Sequence, residues 1–468
     1  GAPARPGTSI VVEGERIMAV LPDAQADTRG ARVVDLQGRH VIPGLIDTHV
    51  HLATPPDADA ARKTLRRQLY SGVTAVRSMA DDVRSVGELS RQALVGEIPS
   101  PDIHYAALMA GPGFFKDPRT IAVTRGRTPG QTPWMQAIDE RTDLVLAVAM
   151  ARGTSADGIK LYADMPGPLL ARITAEAHRQ GIPVWAHAAV FPAMPADDVA
   201  AGVDVISHSC PLAYQASARK PASYHERTPV DEAPFNDGAM PAPITDLFAS
   251  MAARGIILDA TNLVYVRHVE EYARDRKGAP PRCSAGLTLR LTAQAFSQGV
   301  AIASGTDGDN PEDAPFPALH DELDLLAGPV GMPPMEVIRA ATATAARALG
   351  QEKAMGTVEP GKLAYLGEGR DELGLTVINP AAHVPRAMPK KTGERILRRP
   401  YSYEVARDDG TSDRGLVFVA FCADVAAQFV PIQQRLAEQD MLNTWTVPIG
   451  SSVFAIPPAR EPGGFVGE

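Results

Sequence analysis

Two of the eleven histidines in the chain stand two residues apart, in the stretch IDTHVHL, which runs from Ile46 to Leu52. Side chains at positions i and i+2 of a strand point to the same face, so in an extended stretch His49 and His51 face one direction. Two neutral imidazoles on one face can bind one divalent metal ion. Taken alone, the motif leaves an incidental pair as the alternative.

Other polar residues share one position, at or near the end of a short apolar run. They are Lys160 in GIKLYAD, His187 in VWAHA, His208 in VISHS and Asp307 in ASGTD. Each of them alone is better explained as a structural residue, such as a core histidine with hydrogen-bond partners. Together with His49 and His51 they predict a shared metal centre, because an unpaired polar group is costly to bury.

Lys160 is the unusual member of this set, because an ammonium group cannot bind a metal ion. Burial near positive charge lowers the pKa of a lysine, and the neutral amine can then add CO2 to form a carbamate. A carbamate would bridge two metal ions, and two ions about 3.5–4 Å apart can hold a hydroxide nucleophile at neutral pH. Asp307 would accept the proton of the water and pass it to the leaving group. Imidazole and carboxylate ligands favour zinc, with manganese and iron left open.

The chain must bring these scattered residues together, and its pattern of segments suggests how. After Gly44, eight short apolar runs alternate with amphipathic segments, several of which end in glycine. A helix that ends at glycine and is followed by a buried strand is typical of a βα repeat. Eight repeats predict an α/β fold, a (β/α)8 TIM barrel, whose active site lies at the carboxyl ends of the strands.

The segments around the strands predict further features. Before the barrel, SIVVEGERIMAVLPD and ARVVDLQGRHVIPG predict a small sheet. A polar, proline-rich insertion after His208 predicts a long loop over the barrel mouth. Phe114 and Phe115, after the third strand, suggest an apolar or aromatic group in the substrate, and His104 in that strand is a further candidate for substrate contact.

The composition is that of an ordinary soluble globular protein of 468 residues, with 45% hydrophobic residues, 22% charged residues and a net charge of −9. No basic run indicates a nucleic-acid partner, and no apolar run of about 18 residues indicates a membrane helix. We therefore expect a small-molecule substrate, while the sequence leaves homo-oligomers open. Cys210, Cys283 and Cys422 lie far apart, which argues against a disulfide framework. The first residues, GAPARPG, look trimmed and leave a cytoplasmic or an exported location open.

The chain from about Thr8 to Ala364 resembles the amidohydrolase superfamily, on the motifs VIPGLIDTHVHL, GIKLYAD, VWAHA, GVDVISHS, ASGTDG and GTVEPGKLA. It looks most similar to the imidazolonepropionase- and prolidase-like branch, whose members hydrolyse cyclic amides, peptides or related esters. The resemblance implies two ligand sets bridged by carboxylated Lys160, namely His49, His51 and Asp307 for one metal and His187 and His208 for the other. It also implies that Tyr162 contacts the reacting carbonyl oxygen. The family has a small β-sandwich that is normally built from both chain ends. Its GKLA motif usually precedes an aspartate and an apolar strand of that sandwich, but here YLGEGRDELGL follows. Part of the sandwich should therefore be missing or replaced.

From about Asp371 to Glu468 the chain resembles the C-terminal portion of a dye-decolorizing haem peroxidase. The segments NPAAHVPRAMP, ERILRRPYSY, GLVFVAFCAD and QFVPIQQRLAE carry this likeness. It implies an α+β, ferredoxin-like fragment in which His383 is the axial haem ligand and Arg398 lies on the distal side. The tail is only part of such an enzyme and lacks its GxxDG segment with the catalytic aspartate, so we expect no haem to bind.

These observations predict four regions: 1–43 as the N-terminal part of a composite β-sandwich, 44–350 as the metal-dependent barrel, 351–370 as a sandwich remnant and 371–468 as the peroxidase-like fragment. The predicted function is hydrolysis of an amide, peptide or ester bond of a small substrate by a hydroxide that bridges two metal ions. The expected bond is a carbon–nitrogen bond, in a dipeptide or a non-peptide amide. The alternatives are a haem peroxidase and a catalytically inactive barrel.

Overall fold

The structure, a computed structural model, describes residues 5–36, 38–236, 238–311, 314–364, 396–406, 412–439 and 452. The chain divides into two compact units, Gly1–Val377 and Ile378–Glu468. The first unit contains a parallel barrel and a short antiparallel sheet, and the described part of the second contains an antiparallel strand pair and a helix.

The first two strands, β1 (Thr8–Glu13) and β2 (Arg16–Pro22), pair antiparallel. β2 also meets the end of the described part of this unit, where Ile17 N donates to Lys362 O at 2.9 Å. The small sheet predicted for this region is therefore confirmed in its first segment. The prediction of a sheet is wrong for residues 31–43. The described residues there form no strand, and Val33 and Val34 are 65% and 64% exposed. No neighbouring strand among the described residues pairs with that segment.

Eight parallel strands form the barrel, and each of the eight predicted apolar runs contains one of them. In spatial order they are β3 (Leu45–Val50), β4 (Val73–Ser78), β5 (Asp102–Ala110), β8 (Gly158–Leu161), β9 (Val184–His187), β10 (Val205–Ser207), β11 (Ile257–Asp259) and β12 (Ala301–Ala303). Two short strands, β6 (Gln131–Thr132) and β7 (Met135–Ala137), extend the sheet beside β5. Thr48 N donates to Ser304 O at 3.0 Å and links the first and last barrel strands. The predicted TIM barrel is confirmed.

Helices connect the strands and form the outer layer of a TIM barrel. They are α1 (Ala58–Tyr70), α2 (Val83–Leu94), α3 (Pro118–Val123), α4 (Leu144–Arg152), α5 (Gly167–Arg179), α6 (Pro195–Ala201), α7 (Ala242–Arg254), α8 (Asn262–Asp275), α9 (Ala285–Ser297), α10 (Ala318–Ala327), α11 (Pro334–Ala340) and α12 (Ala343–Ala348). Gly202 and Gly255 end α6 and α7 in the left-handed conformation, which a residue without Cβ adopts most easily.

The core lies between the strands and the helices. Every residue of β8, β10 and β11 is buried, as expected for strands covered on both faces. Leu65 of α1, Val86 of α2 and Leu170 of α5 are fully buried in the same apolar cluster, and each such side chain contributes about 1.5–3 kcal/mol on burial. This packing holds the strands in register and so fixes where their carboxyl ends point.

A disulfide joins Cys210 to Cys283, with their Cα atoms 6.2 Å apart. The expectation against disulfide pairing is wrong for these two residues, which are 73 residues apart in the sequence. Cys210 follows β10 and Cys283 precedes α9, so tertiary folding rather than sequence spacing brings them together. Cys422 is free.

In the second unit, β13 (Leu397–Ala406) pairs antiparallel with β14 (Ser412–Phe421), and the helix α13 (Val430–Gln439) follows. Asp424 caps the turn before α13 by accepting from Ala427 N at 2.9 Å. Most of the segment GLVFVAFCAD lies in β14, and most of QFVPIQQRLAE lies in α13. None of the helices in the described ranges is long and apolar enough to cross a membrane.

Candidate active site

The six predicted ligands meet at the carboxyl ends of the barrel strands. They are His49 in β3, His51 directly after it, Lys160 in β8, His187 at the end of β9, His208 after β10 and Asp307 after β12. The ring of His208 lies 4.9 Å from that of His49 and 4.7 Å from that of His187, between centroids. Ligand atoms of His49, His208 and Asp307 all lie within 4.8 Å of one another.

His49 is oriented by a buried carboxylate. Its Nδ1 lies 2.9 Å from Oδ2 of Asp259, which also accepts from Arg77 Nη2 at 3.1 Å and Ser207 Oγ at 3.0 Å. Burial raises the pKa of Asp259, but the hydrogen bond from His49 and the charges of His49 and Arg77 outweigh it and hold that pKa below its usual value. Burial lowers the pKa of His49. Nδ1 is therefore engaged as a donor, and Nε2 is left with a lone pair that faces Asp307 at 3.5 Å.

His51 stands between two carboxylates, with Nε2 3.1 Å from Asp307 Oδ1 and Nδ1 3.4 Å from Asp81 Oδ1. Burial opposes a charge on this ring, but the interactions with Asp307 and Asp81 outweigh it and raise the pKa of His51 to about 10. Burial also raises the pKa of Asp307, yet the neighbouring histidines hold it well below its usual value. A cation bound at this point would therefore replace a proton that His51 holds.

His187 and His208 are neutral imidazoles. Burial is the main cause of the low pKa of each, and at His187 the positive charge of Lys160 adds to it. His208 Nδ1 lies 2.8 Å from Thr261 Oγ1, and His187 Nδ1 lies 3.2 Å from Ala189 O. On each ring Nδ1 is engaged, which leaves Nε2 available as a ligand atom.

Lys160 is buried, and no hydrogen-bond partner of its Nζ exists among the described residues. Burial lowers the pKa of this amine to about 7, and the charge of Arg77 adds to the effect. An unpaired buried ammonium is unfavourable, whereas a neutral amine beside imidazoles and a carboxylate can react with CO2. The environment of Lys160 therefore fits the predicted carbamate better than a structural lysine.

Two of the predicted ligands and one of their neighbours have strained backbones. φ is 82° at His208, 50° at Asp307 and 46° at Thr261, in the left-handed region that residues other than glycine rarely adopt. Hydrogen bonds from neighbouring strands hold them, since His208 N donates to Asp259 O and Asp307 N to His49 O, both at 2.8 Å. Such strain costs about 1–3 kcal/mol per residue and is typical of functional sites.

The close approach of the strands at this point also requires a glycine. A Cβ on Gly305 would lie 2.2 Å from Asp259 Oδ1 and 2.7 Å from the Cβ of His49. Any larger residue would push Asp259 away from His49, so Gly305 is necessary for the hydrogen bond that orients His49.

Aromatic residues form one wall of the site. The ring of Tyr162 lies 5.2 Å from that of His187, and its hydroxyl lies 3.1 Å from the hydroxyl of Tyr224. Phe114 is buried behind Tyr162 at 4.8 Å, and Phe115 lies against Phe114 at 5.5 Å. Burial raises the pKa of Tyr162 well above its usual value, so it stays a neutral donor. Phe114 supports this wall, and substrate contact by either phenylalanine stays a prediction.

The structure does not bring His104 to this site. It is the third residue of β5, and its Nδ1 lies 2.9 Å from Asp157 Oδ1. β5 begins at Asp102, so His104 stands near the amino end of the strand, at the opposite end of the barrel from the ligands. The prediction that it contacts substrate is therefore corrected.

The two predicted haem residues belong to the tail. His383 lies outside the described residues, and Arg398 is in β13, although its side chain is not among those described. The expectation that the tail binds no haem therefore stays a prediction.

Sequence reasoning missed several residues that shape the site. Asp259 and Arg77 orient His49, Asp81 holds His51, and Tyr224 and Tyr265 line the wall, with the Tyr265 ring 6.1 Å from that of His208. Asp259 offered a signal, because it ends the apolar run IILDAT as the predicted ligands end theirs. The tyrosines offered none, since they stand on a loop and a helix whose paths depend on the whole fold.

Comparison with known families gives two matches along the chain. The family described as "Amidohydrolase family" matches residues 40–366. The family described as "Dyp-type peroxidase, C-terminal" matches residues 345–461. The two expected resemblances are thus confirmed.

Individual relatives match either the barrel region or the tail. An imidazolonepropionase from Symbiobacterium thermophilum is 25% identical over 386 residues, which cover 77% of this chain and 83% of that protein. A dye-decolorizing peroxidase from Thermobifida fusca is 46% identical over 102 residues, but these cover 21% of this chain and 24% of that protein. The chain therefore spans about a quarter of the length of the peroxidase that it matches.

Solved structures similar to this chain share the barrel fold. A Xaa-Pro dipeptidase with bound methionine superposes with a TM-score of 0.54, at 21% identity over 76% of this chain and 87% of that one. The ochratoxinase of A. niger gives a TM-score of 0.56, at 21% identity over 78% of this chain and 85% of that one. At this level of identity the likeness establishes the fold.

Proposed function

The chain belongs to the amidohydrolase family and is a hydrolase, and on that basis we propose that it is a metal-dependent enzyme that cleaves a carbon–nitrogen bond of a small amide. The observation that carries the proposal is the convergence of four histidines, Asp307 and an unpaired buried lysine at the mouth of the barrel. The similarity to imidazolonepropionases and to a dipeptidase supports a carbon–nitrogen bond as the target.

The donor set fits two divalent cations. His49, His51 and Asp307 would hold one, His187 and His208 the other, and Lys160 as a carbamate would join them. Imidazole nitrogen and carboxylate oxygen suit zinc, and zinc sites commonly use ligands oriented by a second layer of carboxylates, as Asp259 orients His49. Bound there, the cations lower the pKa of water and polarise a carbonyl oxygen.

Asp307 is the group that moves the proton. Its carboxylate is 22% exposed, whereas Asp259 behind it is fully buried. Its low pKa keeps it ionised at neutral pH, so it can accept a proton from the attacking water and deliver it to the leaving nitrogen. Asp259 cannot take this role, because hydrogen bonds from His49, Arg77, Ser207 and Thr48 occupy its oxygens.

Tyr162 and Tyr224 would position the carbonyl group. Their hydroxyls are 3.1 Å apart, and Arg119 donates to the Tyr224 hydroxyl at 3.0 Å. Because Arg119 donates to the Tyr224 hydroxyl oxygen, the Tyr224 hydroxyl can donate its own proton to Tyr162. The Tyr162 hydroxyl can then donate to the reacting carbonyl oxygen. A preorganised donor of this kind stabilises the charge that develops on that oxygen.

The proposal is tested by metal content and by a metal-loaded activity screen over dipeptides, N-acyl amino acids and lactones. We expect about two zinc ions per chain and amide hydrolysis that a chelator removes and zinc restores. His178→Ala is the matched control, because His178 binds Asp204 at the surface, away from the predicted ligands. Absence of bound metal and of activity after zinc loading would show that the barrel is catalytically inactive.

A further inference from the structure

Three consecutive residues before α9 fasten the loop that follows β10. The carbonyl oxygen of Arg282 accepts from Val230 N at 2.7 Å, and Cys283 is bonded to Cys210. Ser284 donates to Glu232 through N at 2.6 Å and through Oγ at 2.8 Å. Tyr224 lies in the loop held in this way. We call the three residues the fastening segment.

The guanidinium of Arg282 contacts two tyrosines of this loop. It donates to Tyr224 O and to Tyr214 Oη, both at 3.2 Å, and its Cζ lies 5.7 Å from the centroid of the Tyr224 ring. Both of these partners are uncharged. Within the part of the chain that the structure describes, no carboxylate forms an ion pair with Arg282.

The neighbouring arginine differs in this respect. Arg119 contacts the hydroxyl end of Tyr224, but its Nη2 also lies 2.8 Å from Asp117 Oδ2, and the charge of that ion pair is compensated. Among the described residues, Arg282 therefore supplies positive charge on this side of the site that no ion pair compensates.

Arg282 is one aromatic ring away from the ligands. The Tyr224 ring lies 6.2 Å from that of His187 and 5.3 Å from that of Tyr162. An anion held by Arg282 would thus stand beside the scissile bond of a substrate placed at His187.

We propose that Arg282 is a specificity-determining residue that binds a carboxylate of the substrate, so that the preferred substrates are amides with a free carboxylate near the scissile bond, such as N-acyl amino acids and dipeptides. This inference rests on the proposed amide hydrolysis. A planar guanidinium with free donors matches a carboxylate in geometry and charge. The fastening segment holds that donor in place before the substrate arrives, which lowers the entropic cost of binding.

The test compares substrates that differ only in the carboxylate. A panel of N-acetyl-L-amino acids is paired with the corresponding decarboxylated N-acetylamines and assayed with the zinc-loaded full chain. We expect kcat/KM to favour the carboxylate member of each pair, and Arg282→Met to reduce that preference by about 10- to 100-fold, mainly through KM. Arg282→Lys should keep part of the preference, because it keeps the charge but loses the planar donor pair.

The matched control is Arg290→Met. Arg290 lies on α9 and donates to Phe235 O at 2.9 Å, so it also binds a carbonyl of this part of the chain. Among the described residues, no hydrogen bond connects it to Tyr224. We expect this variant to keep the substrate preference. Loss of activity on both members of each pair, or an unchanged preference in Arg282→Met, would overturn the proposal.

Calorimetric binding of the same panel separates this inference from the proposed function. If no compound is hydrolysed, but the carboxylate members bind the wild type and not Arg282→Met, the carboxylate site stands and the proposed reaction fails. If neither hydrolysis nor carboxylate-dependent binding is found, the inference fails as well. Thermal unfolding of each variant shows whether a loss reflects the fold.

Discussion

In the barrel, the predicted ligands stand on or just after β3, β8, β9, β10 and β12, whereas in the tail the two predicted haem residues come from β13 and from a segment outside the described residues. The barrel match extends over most of the chain and most of its relatives, while the tail match covers about a quarter of a peroxidase. A site assembled from many strand ends needs every one of those strands. High sequence identity over a fragment does not supply the pocket residues that lie in the rest of the protein.

The largest effect that would separate the two regions is expected at His187. His187→Ala should lower hydrolysis by at least about 1000-fold, which corresponds to about 4 kcal/mol of transition-state stabilisation, because a predicted metal ligand is lost while the strand remains. The measurement is kcat/KM with bound metal per chain, and His178→Ala is the control. Full activity in His187→Ala would remove the two-metal proposal.

Lys160 should give the next largest effect. Lys160→Ala removes the predicted bridge and should lower activity by about 100-fold or more. Because the change leaves a space of the right size, acetate or propionate should restore part of the activity by supplying a carboxylate. Lys160→Met, which fills that space, should not be rescued. Rescue of neither variant, together with an unmodified Lys160 mass in the active wild type, would contradict the carbamate.

Asp259→Asn should have an intermediate effect. The change removes the charge that orients His49 and should weaken metal binding by about 10- to 100-fold. Competition with a chromophoric chelator measures this affinity. The control is Asp204→Asn, which alters an exposed carboxylate that binds His178. Equal metal affinity in both variants would show that the contact of Asp259 with His49 is only structural.

The dependence of carbamate formation on pH should be a smaller effect. The pKa of Lys160 in the folded chain is about 7, below its usual value, so the neutral amine increases as pH rises through 7. In metal-free protein the reactive fraction should rise from about one tenth at pH 6 to about nine tenths at pH 8. The carbamate signal from 13C-bicarbonate in NMR spectra should follow that curve. A midpoint near the ordinary lysine pKa would contradict it.

In the tail we expect no effect on hydrolysis. His383→Ala and Arg398→Leu should leave kcat/KM within about two-fold of the wild type, since neither residue belongs to the predicted ligand set of the barrel. Haem added to the full chain should give no Soret band. A Soret band that disappears in His383→Ala would establish a haem site and reverse the comparison between the two regions.

Two local patterns carried most of the sequence-based prediction. Glycine-terminated helices followed by apolar strands predicted the barrel, and polar residues at strand ends identified six side chains that the fold brings together. The prediction that His104 contacts the substrate failed because the sequence does not show that β5 begins at Asp102. A residue near the amino end of the strand was therefore treated as part of the site. The segment at 31–43 failed because a strand also needs a partner, which apolar composition does not show.

The remaining residues of the site depend on contacts between distant parts of the chain. Tyr224 and Arg282 are positioned by the disulfide and by the long loop after β10, and no periodicity in the sequence reports the path of a loop. Asp259 could have been found, since it ends a strand as the ligands do.

The left-handed backbones of His208 and Asp307 have a consequence for engineering and for evolution. Glycine or asparagine at either position should relax the main chain and raise the melting temperature, but it would also remove a predicted metal ligand. Selection for thermal stability alone would therefore favour substitutions at the site itself. A homologue with glycine at both positions should have a more stable barrel and no hydrolase activity.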